Sequence, residues 1–479
     1  MKPVLIVGGG IAGLSTAYEL HRRDIPFVLL EAADRAGGVI LSEQIDGYTI
    51  DGGPDALLIQ KPEGVALCRE LGLGARLIPT SPPRLSYIQR GNQLHPLPAA
   101  SVLGIPTRIG PFMRTRLFSW PGKLRMAAEV FVRPRRDEND DWDESIGAFM
   151  TRRFGAEATE YLAEPLLAGI HAGDVDRLSL RALFPRFTEA ERTHGSLLLA
   201  FRRQRRRQSP SEGVFRSLPD GLSEMVRALV ATLPGDAIRL RTRIANATIV
   251  NPPSPVSPVS PVKPGNLVNF RVETSLAEVL EGSALVLAAP AYVTARILRA
   301  ADEKLSGLCD EVPYVSTATI AMAFKRSAVQ HALNGSGFVV PRVEKTGILA
   351  ASWLSSKWAH RAPEGRVLLR VFVGGARDPK ALEQSDEELT RRALATIRPL
   401  LGIAGDPILT RTYRWDRANA QHEVGHLARM KKIERALASH PGLFITGSGF
   451  RCVGIPDGIA DGRATGAGVA RFLNGPGPA

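Results

Sequence analysis

Residues 1–38 read MKPVLIVGGGIAGLSTAYELHRRDIPFVLLEAADRAGG, and the spacing of their glycines decides the fold. Val4 to Val7 is a short aliphatic run of strand character. Leu14, Ala17, Tyr18 and Leu20 then recur at helical spacing before the charged stop His21-Arg22-Arg23. Phe27 to Leu30 reads as a second strand, so the chain opens with a β-α-β unit and a parallel sheet. Gly8, Gly10 and Gly13 stand at G-x-G-x-x-G spacing between the first strand and the helix. Backbone N–H groups and the positive end of a helix can there approach a pyrophosphate with no Cβ in the way. Glu31 ends the second strand eighteen residues after Gly13, where a carboxylate accepts from a ribose hydroxyl. A dinucleotide site is expected.

The continuation EAADRAGGVILS adds Arg35, the glycine pair Gly37 and Gly38, and Ser42. An NAD site has no need of a second glycine pair beside the phosphates. The stretch resembles the extended fingerprint of the flavin-containing amine oxidase superfamily, which implies FAD. Residues 444–462, FITGSGFRCVGIPDGIADG, close a strand with Gly447 and Gly449. They then open a helix through Gly454, Ile455, Pro456, Asp457 and Gly458, again setting N–H groups where an isoalloxazine carbonyl or a phosphate could sit. Both ends of the chain are thus expected to clasp one flavin.

With 479 residues the chain exceeds a single core. Its 44% hydrophobic and 23% charged content suits a globular protein. The longest apolar window, ALVLAAPAYV, is broken by Pro290 and is far short of the ~20 residues a membrane-spanning helix needs. Lys2 and the brief run after it form no signal-peptide core, so a cytoplasmic protein is expected. Three cysteines, Cys68, Cys309 and Cys452, offer no C-x-x-C spacing and read as small buried hydrophobes. A net charge of +13 favours anionic partners. The runs FRRQRRRQ (201–208) and VRPRR (132–136) lack aromatic interleaving and any zinc-finger, helix-turn-helix or RNP pattern, so no nucleic-acid partner is expected.

Residues 98–180 carry helical spacing, 221–233 an amphipathic helix, and 238–250 a strand-like alternation. Ser-Pro-Val repeats three times from 254 to 262 between two strand-like segments, which reads as a swollen hairpin loop. Runs at 284–290, 317–324, 337–341, 347–353 and 366–373 read as a second sheet, with a helix at 386–400 and another at about 461–473. HEVGH at 422–426 matches the zinc motif H-E-x-x-H. Gly425 interrupts it and no apolar helical stripe surrounds it, so His422 and His426 read as loop or packing residues and no metal is expected.

Across almost the whole chain, the stretches YTIDGGPDALLIQKP, EPLLAGIHAGDVDRLSL, WLSSKWAHRAPEG, RWDRANAQHEVGH and GFRCVGIPDGIADG resemble the FAD-dependent porphyrinogen oxidases of haem synthesis. The resemblance implies an α/β fold with a Rossmann-like FAD-binding domain (1–73, 214–292 and 436–479), a mixed-sheet substrate domain (74–97, 181–213 and 293–435) and a helical lobe (98–180). It implies a porphyrinogen substrate, hydride transfer to flavin N5, oxygen as acceptor and release of hydrogen peroxide. Chemistry of this kind rests on orienting the macrocycle rather than on an acid-base dyad. Peripheral contact at the inner face of the cell membrane and contact with a downstream haem-pathway enzyme come with the resemblance.

By the same resemblance Lys61, Ile170 and Phe372 are substrate residues, and Ile244 joins the glycines as a cofactor residue. The protoporphyrinogen-type enzymes often have an arginine where the best register here sets Ser86, with Arg84 nearby. Coproporphyrinogen III is therefore the favoured substrate. Protoporphyrinogen IX remains open, as, more distantly, do an amine oxidase and a carotenoid desaturase.

Overall fold

The computed structural model describes residues 1–98, 101–102, 105–106, 109–135, 142–205, 213–250 and 269–475. At its centre lies a five-stranded parallel sheet in the order Ile238–Arg239, Phe27–Leu30, Val4–Val7, Ala284–Leu287, Leu443–Ile445. Val4–Val7 and Ala284–Leu287 are buried at every position, as a strand covered on both faces requires. The run at 284 thus belongs to this sheet and not to the second one expected from the sequence. ALVL carries four apolar residues in a row, so it has no polar face to turn to solvent, and it pairs Ala284 with Val4 in parallel.

The helix Ile11–His21 lies against the helix Ile455–Asn474 on one face of this sheet. Their approach is close because of Gly462, where a Cβ would stand 2.3 Å from the Ala12 carbonyl oxygen. Thr16 Oγ1 donates to the carbonyls of Ala12 and Gly462 at 2.9 and 3.0 Å, fixing the crossing. The C-terminal helix starts at Ile455, earlier than the sequence suggested, because Gly454 is its N-cap and Pro456 fits the first turn.

A seven-stranded mixed sheet runs Leu409–Ala420, Tyr314–Lys325, Arg366–Gly374, Ala350–Trp353, Gly337–Val339, Tyr87–Arg90, Gln93–Pro96. Ile320, Met322, Leu369 and Val371 bury one face against Leu389, Ala393 and Ile397 of the helix Asp386–Leu401. That helix has a Ser385–Glu388 capping box and ends at Gly402, whose φ of +59° suits a residue without a Cβ. The opposite face, carrying Thr317, Thr319 and Phe372, looks toward the parallel sheet.

A third core joins Phe149, Phe154 and Leu162 to Phe187, Leu197 and Phe201. In packing terms, residues 180–201 lie with the helical cluster, although the sequence reading grouped 181–213 with the substrate portion. Ile244–Ile249 and Phe270–Thr274 form an antiparallel hairpin. The Ser-Pro-Val segment between them lies outside the described residues, as do Arg206, Arg207 and Gln208 of the first arginine-rich run and Arg136 of the second. Among the described residues no helix is long and apolar enough to cross a membrane.

Candidate active site

A cavity of about 850 Å³ opens between the carboxyl ends of the parallel strands and the free face of the mixed sheet. Gly8, Gly10, Glu31, Gly37, Gly38, Ile244, Gly447, Gly454 and Ile455 line one part, and Ile170 and Phe372 line another. Crevices at this place in open parallel sheets are where nucleotides bind.

The glycine turn is built for close approach. Gly8 has φ +110°, and a Cβ there would stand 2.6 Å from the Ala288 carbonyl oxygen. Gly10 is the N-cap of Ile11–His21, and a Cβ on it would meet nothing within 4 Å. Its open side faces the cavity, so it forms a cradle that a side chain would fill, as a cofactor pyrophosphate requires. Gly13 does not line the cavity. A Cβ there would lie 1.9 Å from the Gly8 carbonyl oxygen, so its part is to let helix and strand touch.

Glu31 Oε2 accepts from Gly9 N at 2.6 Å and Oε1 from Ala33 N at 2.8 Å, which holds the carboxylate at the end of its strand. Arg35 stands behind the second glycine pair. It donates to the carbonyls of Gly38 at 2.6 Å and Ile40 at 3.0 Å, bracing the turn instead of entering the cavity. Pro456 likewise stays out of the cavity lining and is buried near Gly64.

The loop Asp51-Gly52-Gly53-Pro54-Asp55 joins the two halves of the cavity. A Cβ on Gly53 would lie 1.9 Å from the Val39 carbonyl oxygen, and one on Gly52 would meet the Tyr413 ring at 2.6 Å. Thr319 Oγ1 and Trp415 Nε1 both donate to Gly52 O, at 2.7 and 3.0 Å. Asp55 pairs with Lys357 Nζ at 2.6 Å and Arg370 Nη2 at 3.1 Å, and accepts from Trp358 Nε1 at 2.8 Å. Burial pushes its carboxyl up, but the two cations and the indole donor outweigh that and hold it well below the usual carboxylate range. Arg370 also donates to Gly53 O at 2.6 Å and to Asp51 O, and its guanidinium carbon stands 4.7 Å from the centre of the Phe372 ring.

Lys61 does not line the cavity. Its Nζ pairs with Asp457 Oδ2 at 2.5 Å, on the first turn of the C-terminal helix. Ile170, two residues beyond the π-helical stretch Thr159–Ala168, is 69% exposed and lies at the rim. Ser86 and Arg84 lie apart from the cavity lining: the Ser86 carbonyl accepts from Leu97 N, and Arg84 Nε donates to the Thr80 carbonyl at 3.1 Å.

The histidines of HEVGH are buried with rings stacked at 3.9 Å. The Nε2 of His422 bonds the Ser448 carbonyl at 2.9 Å and that of His426 the Phe450 carbonyl at 2.8 Å, fastening the turn Gly447–Phe450. His426 begins its helix rather than sitting inside it, and no group of three metal-ligating side chains occurs among the described residues.

Several lining residues escaped sequence reasoning: Asp55, Tyr292, Arg370, Trp415 and Arg417. The signal for Arg370 was present, as a lone cation inside the apolar run Leu368–Val373. Arg417 carried none, because only pairing with a distant strand turns it toward the cavity.

Residues 11–469 match the family model described as flavin containing amine oxidoreductase. The chain is 35% identical to coproporphyrinogen III oxidase of Bacillus subtilis, covering 98% of each chain. It is 26% identical to the chloroplastic protoporphyrinogen oxidase of Nicotiana tabacum, covering 93% of this chain and 81% of that protein. A crystal structure of an Exiguobacterium sp. 255-15 protein, provisionally named a protoporphyrinogen oxidase, superposes with a TM-score of 0.82 at 30% identity and covers 98% of both chains. The phosphate cradle at Gly10 and the match along nearly the full chain agree: the protein belongs to the flavin containing amine oxidoreductase family and is an FAD-dependent oxidoreductase.

Proposed function

We propose that the protein oxidises a porphyrinogen to its porphyrin in haem biosynthesis, with coproporphyrinogen III as the preferred substrate. The carrying observation is the single cavity that runs from the nucleotide cradle, past Gly53 and Asp55, to Phe372 and Ile170. The cavity has a volume of about 850 Å³, and the end proposed for the substrate is walled by Pro165, Leu166, Val339 and Leu349. When bound, FAD supplies at N5 the acceptor for a hydride from a macrocycle methylene and returns the electron pair to oxygen as hydrogen peroxide.

The protein's part is orientation. Each cavity carboxylate is engaged: Glu31 with backbone N–H groups, Asp55 with Lys357 and Arg370, and Asp416 with the Ser316 hydroxyl at 2.8 Å. None is left as a free general base, which supports a reaction driven by positioning and by aromatisation of the product. Leu349 and Phe372 give this part of the cavity an apolar wall against which a macrocycle can lie.

We place the protein in the cytoplasm, in peripheral contact with the membrane. Trp120, Leu124 and Phe131 are 62, 68 and 85% exposed on the helical lobe, amid the exposed Arg114, Arg116, Arg125 and Arg133. Bulky apolar side chains among cations suit an anionic lipid surface. The test of the activity is porphyrin fluorescence and peroxide on adding coproporphyrinogen III, run beside protoporphyrinogen IX. Turnover no faster than the spontaneous rate for either ends the proposal.

A further inference from the structure

The strand Leu409–Ala420 pairs Trp415 with Thr317 and Asn419 with Val315, so Asp416, Arg417 and Ala418 together oppose Ser316 alone. Such a bulge re-aims a side chain. At its apex Arg417 has φ +42°, a left-handed conformation that a bulky residue adopts only where its surroundings enforce it. The enforcement is visible: Ser316 Oγ accepts from Arg417 N at 2.8 Å and donates to Asp416 Oδ1 at 2.8 Å.

The re-aimed guanidinium lands on the other domain. Its carbon lies 3.8 Å from the centre of the Tyr292 ring, in the first turn of the helix Ala291–Leu298 that follows the strand Ala284–Leu287. Tyr292 is itself set edge-on against Tyr314 at 5.1 Å, and Tyr314 accepts from Ala291 N at 2.8 Å. Arg417, Tyr292 and Asn419 all line the cavity. A stacked guanidinium uses its face and keeps its edge donors available. Among the described residues, no carboxylate lies within ion-pair distance of it. Arg370, by contrast, has donors committed to Asp51, Gly53 and Asp55.

We propose that Arg417 is an oxyanion clasp across the seam of the cavity, gripping a phosphate of the cofactor or a carboxylate of the substrate; the substrate half rests on the porphyrinogen reading above. A fork of N–H donors laid flat on an aromatic ring suits a phosphate or a carboxylate equally, and neither would meet a competing acid from this chain at the guanidinium.

The test uses Arg417→Gln and Arg417→Lys in the flavin-loaded protein, with three readouts: loss of FAD on dilution, KM and kcat for coproporphyrinogen III, and Tm. Expected for Arg417→Gln is a rise of ~10-fold in either FAD loss or KM with Tm unchanged, partly reversed in Arg417→Lys. Faster FAD loss assigns the phosphate, and a raised KM with kcat retained assigns the carboxylate. If neither moves, or only Tm falls, the clasp is refuted and Arg417 is a structural brace. If the unmodified enzyme turns over no porphyrinogen, the functional reading fails by itself and the FAD readout alone decides on the clasp.

Discussion

Lys61 and Asp457, 396 positions apart in sequence, meet at 2.5 Å and tie the loop ahead of the helix Glu63–Glu70 to the first turn of the C-terminal helix. The lysine side chain is 46% exposed, so the pair adds at most ~1 kcal/mol to stability. Lys61→Ala is therefore expected to leave Tm nearly unchanged. If the ammonium also attracts substrate carboxylates, KM rises more for the porphyrinogen with four carboxylates than for the one with two. Equal effects on the two substrates remove Lys61 from substrate recognition.

Gly10→Val separates folding from cofactor binding. The space next to a Gly10 Cβ holds no protein atom within 4 Å, so the variant is expected to fold. Its side chain would occupy the phosphate cradle, and the purified protein is expected to be colourless with native circular dichroism. A variant that retains a full complement of FAD contradicts the cradle.

Asp55→Asn strands two buried cations. Lys357 and Arg370 are 14 and 2% exposed, and each loses its carboxylate partner. The expected loss is ~3–5 kcal/mol by urea denaturation. In the unmodified protein the folded-state pKa of Asp55 lies below its unfolded value. Its contribution is therefore present above the ordinary carboxylate range and disappears only as pH falls through the depressed folded value. Acid unfolding curves of the variant and the parent should converge at the lowest pH.

His426 has the opposite charge chemistry. Burial, then the neighbouring His422, lower its pKa to about 3, against a partial offset from the Phe450 carbonyl. The unfolded chain binds this proton near pH 6.5, so stability is full above that value and falls as pH drops toward the folded pKa, at ~1.4 kcal/mol per unit for this one group. His426→Gln should flatten the decline of Tm between pH 7 and 5. An unchanged slope assigns the decline to other groups.

The membrane reading concerns the lobe. Phe131→Ser with Leu124→Ser is expected to abolish co-sedimentation with vesicles containing anionic lipid while leaving porphyrinogen turnover in solution intact. If the unmodified protein stays in the supernatant with such vesicles, the peripheral contact is discarded.

What the sequence displays and what it conceals divide along physical lines. Gly8, Gly10 and Gly13 were legible because a glycine's constraint is local: a φ of +110° at Gly8 or a 1.9 Å approach at Gly13 is set by a dozen neighbouring residues. The helix Asp386–Leu401 was legible as a helix at 386–400, and its Ser385–Glu388 cap is likewise local in sequence. Asp55 and Arg370 were not, since their pairing spans 315 positions and exists only once the loop after Tyr48–Asp51 meets the mixed sheet. The strand Ala284–Leu287 was read as a strand but given the wrong sheet, because an apolar run does not name its partner. Lys61 has the same difficulty, as its acid lies on the last helix.

The parallel sheet takes its adjacent strands from residues 4–7 and 284–287, and the helix that covers the glycine turn spans 455–474. A hydroxyl near the beginning of the chain finds its acceptor 446 positions later, at Thr16 and Gly462. While a ribosome is still extending the polypeptide, the first β-α-β unit waits without its central neighbour and without its cover. Closing loops of that size is slow. The cavity is therefore complete only when segments from 4–7, 284–287 and 455–474 have come together, and a cofactor that binds only this assembled form stabilises it by mass action.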